Sequence, residues 1–382
     1  MNSRHFFLLL LCLLTPISLI AKPDGKVSSK AQTYVLGDLS SGVIISEKNA
    51  SLTIDPGPLT KLMALYVIFS ALEAGDIRLK DKIRISETAA KAPAPHMLLA
   101  KGDRVKVEDL IKAIIIFGAN DATSAVIEEI VWRTKSEFLA TMNKKARSIG
   151  LATSHFEDPL GQKSNERGTT TSDLYLLSTA IIKDFPQYYP YFKLQQYEWQ
   201  KRIQYSPNSL LGRDQHNDGL IMGRTPTVGF LGSISSNRNG RRILVVMGGT
   251  KSERTFGTEA QKLINHAFEA YETIHLFKSN TPIAQSLIAQ GTDKVVDIGS
   301  FKDISVTIPR GKKENLKVHI ESLEPLIAPI EYGTVVATLI IRLEDRTILT
   351  SDLIALKEAR QTGILIRGWK ELKSRVLQLI GS

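Results

Sequence analysis

The hydrophobic pattern of the chain up to about residue 275 predicts helices combined with antiparallel strands. Alternating apolar and polar residues over 32–55 predict a β-hairpin. Residues 59–74 are apolar almost all round, which predicts a buried helix that ends at Gly75. The same patterns predict further helices over 107–117, 123–132 and 258–271, and a central strand over 241–247 that ends at Gly248 and Gly249.

A different pattern begins near residue 275. Short alternating runs occupy 304–308, 316–320 and 334–343, and turns such as Pro309-Arg310-Gly311 separate them. Runs of this length and period are typical of a small all-β domain. We therefore expect a larger domain over 22–274 and a small β-sandwich over 275–363.

The first 21 residues have the features of a signal peptide. Arg4 and His5 precede an apolar run over 6–14, and Ala21 is a suitable cleavage residue. The run is too short to span a bilayer comfortably, and the alternative interpretation is an uncleaved anchor. The pattern predicts export and places the only cysteine, Cys12, in the removed segment.

The last 19 residues, 364–382, predict an amphipathic helix. Apolar residues recur there at steps of three and four, and the face they form consists of Leu365, Trp369, Leu372, Val376 and Leu379. Four basic residues stand against a single acid, Glu371. A basic amphipathic helix with a tryptophan indicates binding to an anionic membrane surface, and the alternative is a terminal helix packed on the domain.

The composition of the chain excludes several classes of protein. The chain has 382 residues, a formal net charge of +10, 43% hydrophobic and 23% charged residues, as in ordinary globular proteins. One cysteine excludes a disulfide framework and cysteine-ligated metal sites. The positive charge is not concentrated in a tract, so it favours anionic surfaces and not nucleic acid. The seven histidines form no zinc-binding pair and no phosphate-binding glycine loop occurs, so we expect neither a metal nor a cofactor.

Several short segments occur in an order that matches one enzyme family. The segments, in chain order, are Glu47-Lys48-Asn49-Ala50, Leu59-Thr60-Lys61-Leu62-Met63, residues 102–110, Asn120-Asp121-Ala122, and Asp218-Gly219-Leu220 followed by Gly223 and Thr225. In this order they resemble the low-molecular-mass penicillin-binding proteins, which are serine D-Ala-D-Ala carboxypeptidases. The resemblance covers nearly the whole mature chain, including the β domain and the tail.

This resemblance implies an α/β (α+β) fold of the serine β-lactamase/transpeptidase type, with helices against an antiparallel sheet, then a β-sandwich and a membrane-surface helix. It implies a role on peptidoglycan stem peptides in the periplasm, at the outer face of the inner membrane; it does not specify an oligomeric state. The family transfers an acyl group through a serine ester. It uses three motifs: Ser-x-x-Lys, which pairs the nucleophile with its base, Ser-x-Asn, and Lys-Thr-Gly.

All three motifs are altered in this sequence. Aligned on the family pattern, the first motif has Pro58 at the nucleophile position and Lys61 at the base position. The second has Gly118 at the serine position before Asn120, the third consists of Ile221, Met222 and Gly223, and Arg224 stands where the family usually has histidine. Because proline is favoured at the start of a helix, Pro58 is compatible with the predicted helix over 59–74. It is not compatible with formation of a serine ester, since it has no hydroxyl group.

No serine in the chain lies three residues before a lysine, and Thr60 lies beside Lys61, about 100° away around a helix. We therefore expect a catalytically inactive pseudoenzyme, in which Lys61 and Asn120 either support the fold or retain a binding role. Two alternatives stay open. One is an active carboxypeptidase with a non-matching nucleophile, and the other is a decaying paralogue without function.

Overall fold

The structure is a computed structural model that describes residues 19–20, 27–131, 135–162, 168–322 and 326–362. The chain forms two compact units that divide between Glu272 and Thr273. The predicted tail helix, 364–382, lies outside the described residues. So does the predicted signal peptide, 1–21, except for the backbone of Leu19–Ile20.

The described part of the chain contains seven α-helices, nineteen strands and three 3-10 helices. The helices are α1 Thr60–Ala74, α2 Glu87–Ala90, α3 Val107–Phe117, α4 Asn120–Val131, α5 Lys135–Ser148, α6 Thr171–Asp184 and α7 Glu253–Ala270. The strands are β1 Leu19–Ile20, β2 Thr33–Asp38, β3 Val43–Lys48, β4 Lys82–Arg84, β5 Arg104–Lys106, β6 Gln196–Trp199, β7 Arg202–Tyr205, β8 Asn217–Gly219, β9 Met222–Thr225, β10 Gly229–Arg238, β11 Arg241–Thr250, β12 Tyr271–Phe277, β13 Ala284–Ala289, β14 Val295–Gly299, β15 Ile304–Pro309, β16 Leu316–Ser322, β17 Leu326–Ile327, β18 Val335–Leu343 and β19 Arg346–Ala355. The 3-10 helices are Gly57–Leu59, Tyr189–Lys193 and Lys313–Asn315.

The first unit is built on one antiparallel sheet in the order β3-β2-β11-β10-β8, with β9 also paired to β10. Because successive strand residues point to opposite faces, each strand supplies two cores. On β2, Val35 joins the core formed with the helices around α1, while Tyr34 and Leu36 join the core formed with α7. The sheet therefore lies between helices on both faces, which confirms the predicted α/β (α+β) fold.

Helix α1 lies at the centre of the larger core and is buried on almost every side. It ends where the pattern predicts, at Gly75, whose φ of 78° is a left-handed cap that glycine adopts without strain. Among the described residues, Gly57–Ala74 is also long and apolar enough to cross a membrane, but 72% of it is buried inside the protein. That burial is typical of the core helix of a globular domain.

Three predicted boundaries are wrong. Strand β11 does not end at Gly248 but continues to Thr250, because Gly248 pairs with both Thr33 and Leu231. Helix α7 starts five residues before the predicted 258, because the Ser252 side chain accepts a hydrogen bond from the Thr255 amide and caps the helix. Helix α4 starts at Asn120 and not at 123.

The second unit is an all-β domain. Its larger sheet has the order β16-β18-β19-β14-β13-β17, with β1 also paired to β19. Strands β12 and β15 form a second, two-stranded sheet, and Ile304, Val306 and Ile308 of β15 share one core with the larger sheet. The three runs predicted near 304, 316 and 334 are strands β15, β16 and β18. Two sheets around a common core form a small sandwich.

Candidate active site

The first unit contains a cavity of about 350 Å³ between the turn Gly57–Leu59, the junction of α3 and α4, and strand β9. All of the site residues predicted from the sequence line this cavity, and they are Pro58, Lys61, Gly118, Asn120, Ile221, Met222 and Gly223. Three segments far apart in the sequence therefore meet at one place. The geometry of each segment decides what chemistry the cavity can perform.

Pro58 lies in the turn that leads into α1. The carboxylate of Asp55 accepts a hydrogen bond from the Gly57 amide at 2.9 Å and holds the start of the turn. The ring of Pro58 packs directly on Gly223 of β9, since a Cβ atom placed on Gly223 would lie 2.5 Å from Cγ of Pro58. At the predicted nucleophile position the cavity thus contains a saturated ring without a hydroxyl group.

Lys61 lies one helical turn after Pro58, and only 3% of it is exposed. Its amino group donates hydrogen bonds to the Asn120 side-chain oxygen and to the Leu160 carbonyl oxygen, both at 2.6 Å. A lysine ammonium has three donors, so these contacts use two of them. Lys61 thereby links α1 to α4 and to the loop at residue 160.

Asn120 uses its whole side chain in hydrogen bonds. Its oxygen accepts from Lys61, and its amide nitrogen donates to the carbonyl oxygens of Pro93 and Ala94, both at 3.0 Å. Its backbone amide donates to the Pro95 carbonyl oxygen at 2.7 Å. Buried polar groups satisfied in this way stabilise a single arrangement of the chain. Of the two roles open for Lys61 and Asn120, this geometry favours support of the fold.

Gly118 caps the C-terminus of α3 in the left-handed region, with φ of 70°. Its amide donates to the Ile114 carbonyl oxygen at 3.0 Å. A Cβ atom placed on Gly118 would meet only Cγ of Pro95, at 3.8 Å. There is consequently space for a side chain at this position, but the backbone conformation disfavours one.

The third predicted motif presents apolar side chains. Ile221 belongs to the core around α1, whereas Met222 belongs to the core against α7, where it packs near Phe256. Both are buried, at 6% and 2% exposure. The cavity therefore has neither a cation nor a hydroxyl at Ile221 and Met222.

A buried polar network supports the segment that leads into β9. Asp218 accepts hydrogen bonds from Arg242 at 2.8 Å and from the hydroxyl of Tyr189 at 3.0 Å. Burial, together with the charge of Asp218, raises the pKa of Tyr189 far above its usual range, so that this phenol remains a neutral donor. The ion pair and the phenol fix the start of the segment whose next residues line the cavity.

The sequence prediction missed the loop around residue 160 as part of the site. Leu160 supplies the carbonyl oxygen that accepts from Lys61, and Gly161 lies so close to the turn that a Cβ atom would overlap the Gly57 carbonyl oxygen. The only signal was the turn-forming run Asp158-Pro159-Leu160-Gly161, which indicates a turn but not its partner. Asp55, Gln162 and Ser206 also line the cavity without having been predicted.

Two hydroxyl groups of described residues line the cavity, on Ser206 and Thr225. Each accepts a hydrogen bond from the backbone of its own loop, Ser206 from the Asn208 amide and Thr225 from the Val228 amide. Within the described ranges, no three His, Cys, Asp or Glu side chains are grouped as metal ligands. At the predicted motif positions the cavity is thus lined by the ring of Pro58, by Lys61, which donates hydrogen bonds to Asn120 and Leu160, and by the apolar strand residues.

Comparison with known proteins agrees with this architecture. The family model described as D-alanyl-D-alanine carboxypeptidase matches residues 20–251, and the model of the penicillin-binding protein 5 C-terminal domain matches residues 271–361. The chain is 32% identical to D-alanyl-D-alanine carboxypeptidase DacC of Escherichia coli strain K12, over 93% of this chain and 90% of that protein. It is 30% identical to the DacA carboxypeptidase of Haemophilus influenzae, over 89% and 88% of the two chains.

A solved structure gives the same result. The crystal structure of penicillin-binding protein 5 from Haemophilus influenzae superposes with a TM-score of 0.84 at 28% identity, and the match covers 88% of this chain and 99% of that one. The family suggested by the order of the sequence segments is therefore confirmed. This chain belongs to the D-alanyl-D-alanine carboxypeptidase family, the low-molecular-mass penicillin-binding proteins, whose members act in peptidoglycan metabolism.

Proposed function

We propose that this chain binds the D-Ala-D-Ala end of peptidoglycan stem peptides without cleaving them. The observation that carries the proposal is Pro58, whose ring occupies the predicted nucleophile position and packs on Gly223. Formation of an acyl ester needs a nucleophilic side chain beside a base. Proline has no such group, and Lys61 donates to Asn120 and to Leu160.

The cavity retains features suited to an extended peptide. In the described sheet, β9 pairs only with β10, and its residues also line the cavity. Ser233 donates to the Ile221 carbonyl oxygen, and the register continues with Gly223 opposite Leu231. Hydrogen-bonded and non-hydrogen-bonded pairs alternate along an antiparallel ladder. Because Ile221 and Gly223 are the hydrogen-bonded positions, the backbone N–H and C=O groups of Met222 and Arg224 face the open edge of β9. A peptide can add to this edge as another strand.

Binding and cleavage are measured separately on the full chain. We expect a stem-peptide analogue that ends in D-Ala-D-Ala to bind in isothermal titration calorimetry, while chromatography detects no released D-alanine. Gln162→Trp, at an exposed residue that lines the cavity, is expected to weaken binding about tenfold or more by filling the entrance. Gln215→Trp is the matched control, because Gln215 is exposed and lies outside this cavity.

The outcomes separate the three candidate functions. Binding without release, sensitive to Gln162→Trp alone, supports the proposal. Release of D-alanine favours the active carboxypeptidase with a different nucleophile, for which Ser206 and Thr225 are the hydroxyls to test first. Absence of any binding favours a chain that has lost its function.

We further propose that the chain is exported to the periplasm and attached to the inner membrane by residues 364–382. The basis is the sequence pattern alone, with a basic face and a tryptophan-containing apolar face. We expect the mature chain to float with anionic vesicles, and we expect salt to weaken this binding, because each basic residue near the surface contributes about 1 kcal/mol. Deletion of 364–382 is expected to abolish flotation, and equal flotation of the deleted chain would contradict the assignment.

A further inference from the structure

The second unit has a patch of exposed apolar side chains on one face of its larger sheet. The apolar patch consists of Leu287 of β13, Val295 of β14 and Ile327 of β17, which are 65%, 40% and 56% exposed. Exposed apolar residues that are scattered singly over a surface need no explanation, whereas a contiguous group is typical of an interaction surface. The apolar patch is therefore a surface on which a partner can pack.

Strand pairing places the three side chains next to one another, on the face of the sheet that points away from the core. Leu287 lies directly opposite Val295, and Ile327 lies directly opposite Ala289. Val296, which follows Val295 in the chain, belongs to the core of the domain. Since successive strand residues point to opposite faces, the apolar patch lies on the outer face of the sheet.

The chain leaves the described fold beside the apolar patch. Thr362 donates a hydrogen bond from its amide to the Gln290 carbonyl oxygen at 2.8 Å, and one from its hydroxyl to the Gly291 carbonyl oxygen at 2.7 Å. Gln290 follows Leu287 by three residues, which corresponds to about 10 Å at about 3.3 Å per strand residue. The segment that follows Thr362 therefore starts about 10 Å from the apolar patch.

That segment has an apolar face of suitable size. The face predicted from its sequence consists of Leu365, Trp369, Leu372, Val376 and Leu379. In a helix with a rise of about 1.5 Å per residue these positions span about 21 Å. The apolar patch crosses three strands that are about 4.8 Å apart, so it is about 10 Å wide. About half of the predicted apolar face can pack on it.

The small size of the apolar patch favours a segment of the same chain over a second copy of the protein. A stable interface between two proteins buries about 800 Å² per partner and contains about 20–30 residues on each side. The apolar patch offers three large apolar side chains. A segment joined by a short linker needs far less contact area, because the linker holds it at a millimolar effective concentration.

We infer that the apolar patch is the docking site of residues 364–382 of the same chain when no membrane is present. Docking occupies the apolar face that the proposed membrane attachment also uses, so the apolar patch and the membrane exclude each other. The apparent affinity for a membrane is then reduced in proportion to the fraction of chains whose tail is free. This competition rests on the proposed membrane attachment, whereas the docking itself does not.

Thiol reactivity tests the docking. The mature chain has no cysteine, because Cys12 lies in the predicted signal peptide. Ala289→Cys places a thiol in the apolar patch, and Val318→Cys is the control, at an exposed position on β16, the opposite edge strand of the sheet. Without vesicles, we expect a maleimide to modify Ala289→Cys about threefold or more slowly with the natural tail than with Trp369→Ser and Leu372→Ser added, in proportion to the docked fraction. Val318→Cys is expected to react equally with both tails.

Flotation with anionic vesicles tests the competition in the full mature chain. We expect the double variant Leu287→Ser and Val295→Ser to bind vesicles about threefold or more tightly than the wild type, because its tail is free in every molecule. Val318→Ser is the matched control, since it removes an exposed apolar side chain of the same sheet outside the apolar patch. It is expected to bind as the wild type does, and thermal melts check that each variant is folded.

Each outcome decides one part of the inference. Equal modification of Ala289→Cys with both tails overturns the docking, and protection that rises with protein concentration in both identifies a second copy as the partner. Unchanged vesicle binding by the double variant overturns the competition, and weaker binding identifies the membrane as the partner of the apolar patch. If the wild type and all variants fail to float, the proposed membrane attachment fails, while the thiol reactivity still decides the docking.

Discussion

A fluorescent penicillin is expected to leave this chain unlabelled under conditions in which the Escherichia coli relative DacC is fully acylated. The drug reports on ester formation, and Pro58 supplies no side-chain oxygen at the predicted nucleophile position. In a comparable serine enzyme, loss of the nucleophile lowers kcat about a millionfold. Intact-mass spectrometry of both proteins, mixed with the drug in the same tube, provides the measurement and its positive control.

A stoichiometric penicilloyl adduct on this chain is the result that contradicts the expectation. Peptide mapping would then locate the modified residue. An ester on Ser206 or Thr225, the hydroxyls that line the cavity, would establish a displaced nucleophile. Labelling of other residues would be non-specific if it also occurred in denatured protein. Such labelling would not contradict the expectation that no ester forms in the cavity.

Pro58→Ser alone is expected to leave D-alanine release several powers of ten below that of DacC. Lys61 lies one turn away, at the start of α1, so the new hydroxyl stands near the residue at the family's base position. It still lacks the serine hydroxyl that the family motif has at the position of Gly118, and the lysine cation and threonine hydroxyl that it has at the positions of Ile221 and Met222. Each missing charge-assisted contact costs about 1.5–3 kcal/mol, and each 1.4 kcal/mol is about tenfold in rate. Release of D-alanine from a D-Ala-D-Ala peptide is the assay.

The fourfold variant Pro58→Ser, Gly118→Ser, Ile221→Lys and Met222→Thr is expected to give the first detectable release, but at a cost in stability. Serine in the left-handed conformation of Gly118 costs about 1–2 kcal/mol. Lysine at the buried Ile221 places a charge in the core, and threonine at Met222 removes apolar contacts near Phe256. We therefore expect a lower Tm than for Pro58→Ser, measured by circular dichroism on both proteins.

Two results would change this interpretation. If Pro58→Ser alone approaches the rate of the fourfold variant, the second and third motifs contribute less than argued. If the fourfold variant folds, with a cooperative melt, and releases nothing, the cavity itself has diverged from the family geometry. The alternative of a decaying paralogue without function would then gain support.

Features that depend on single residues or on near neighbours in the chain were predictable from the sequence. Hydrophobic periodicity predicted helix α1, helix α3 over Val107–Phe117 and the alternating strands β15, β16 and β18. It does so because the burial of one face, or of all faces, determines which neighbouring positions are apolar. The ordered segments were sufficient to identify the family. The absence of a hydroxyl at position 58 is likewise a property of the residue itself.

Contacts between distant segments were decided only by the tertiary structure. Lys61 and Asn120 are 59 residues apart, and Lys61 and Leu160 are 99 apart, so no local pattern records their hydrogen bonds. The same holds for the extension of β11 through Gly248, where pairing on both sides outweighs the weak strand propensity of glycine. The sequence alone determined which chemical groups the cavity lacks. The packing of the core determined that Lys61 and Asn120 hold the fold together, since hydrogen bonds between residues so far apart in the sequence form only once the core is assembled.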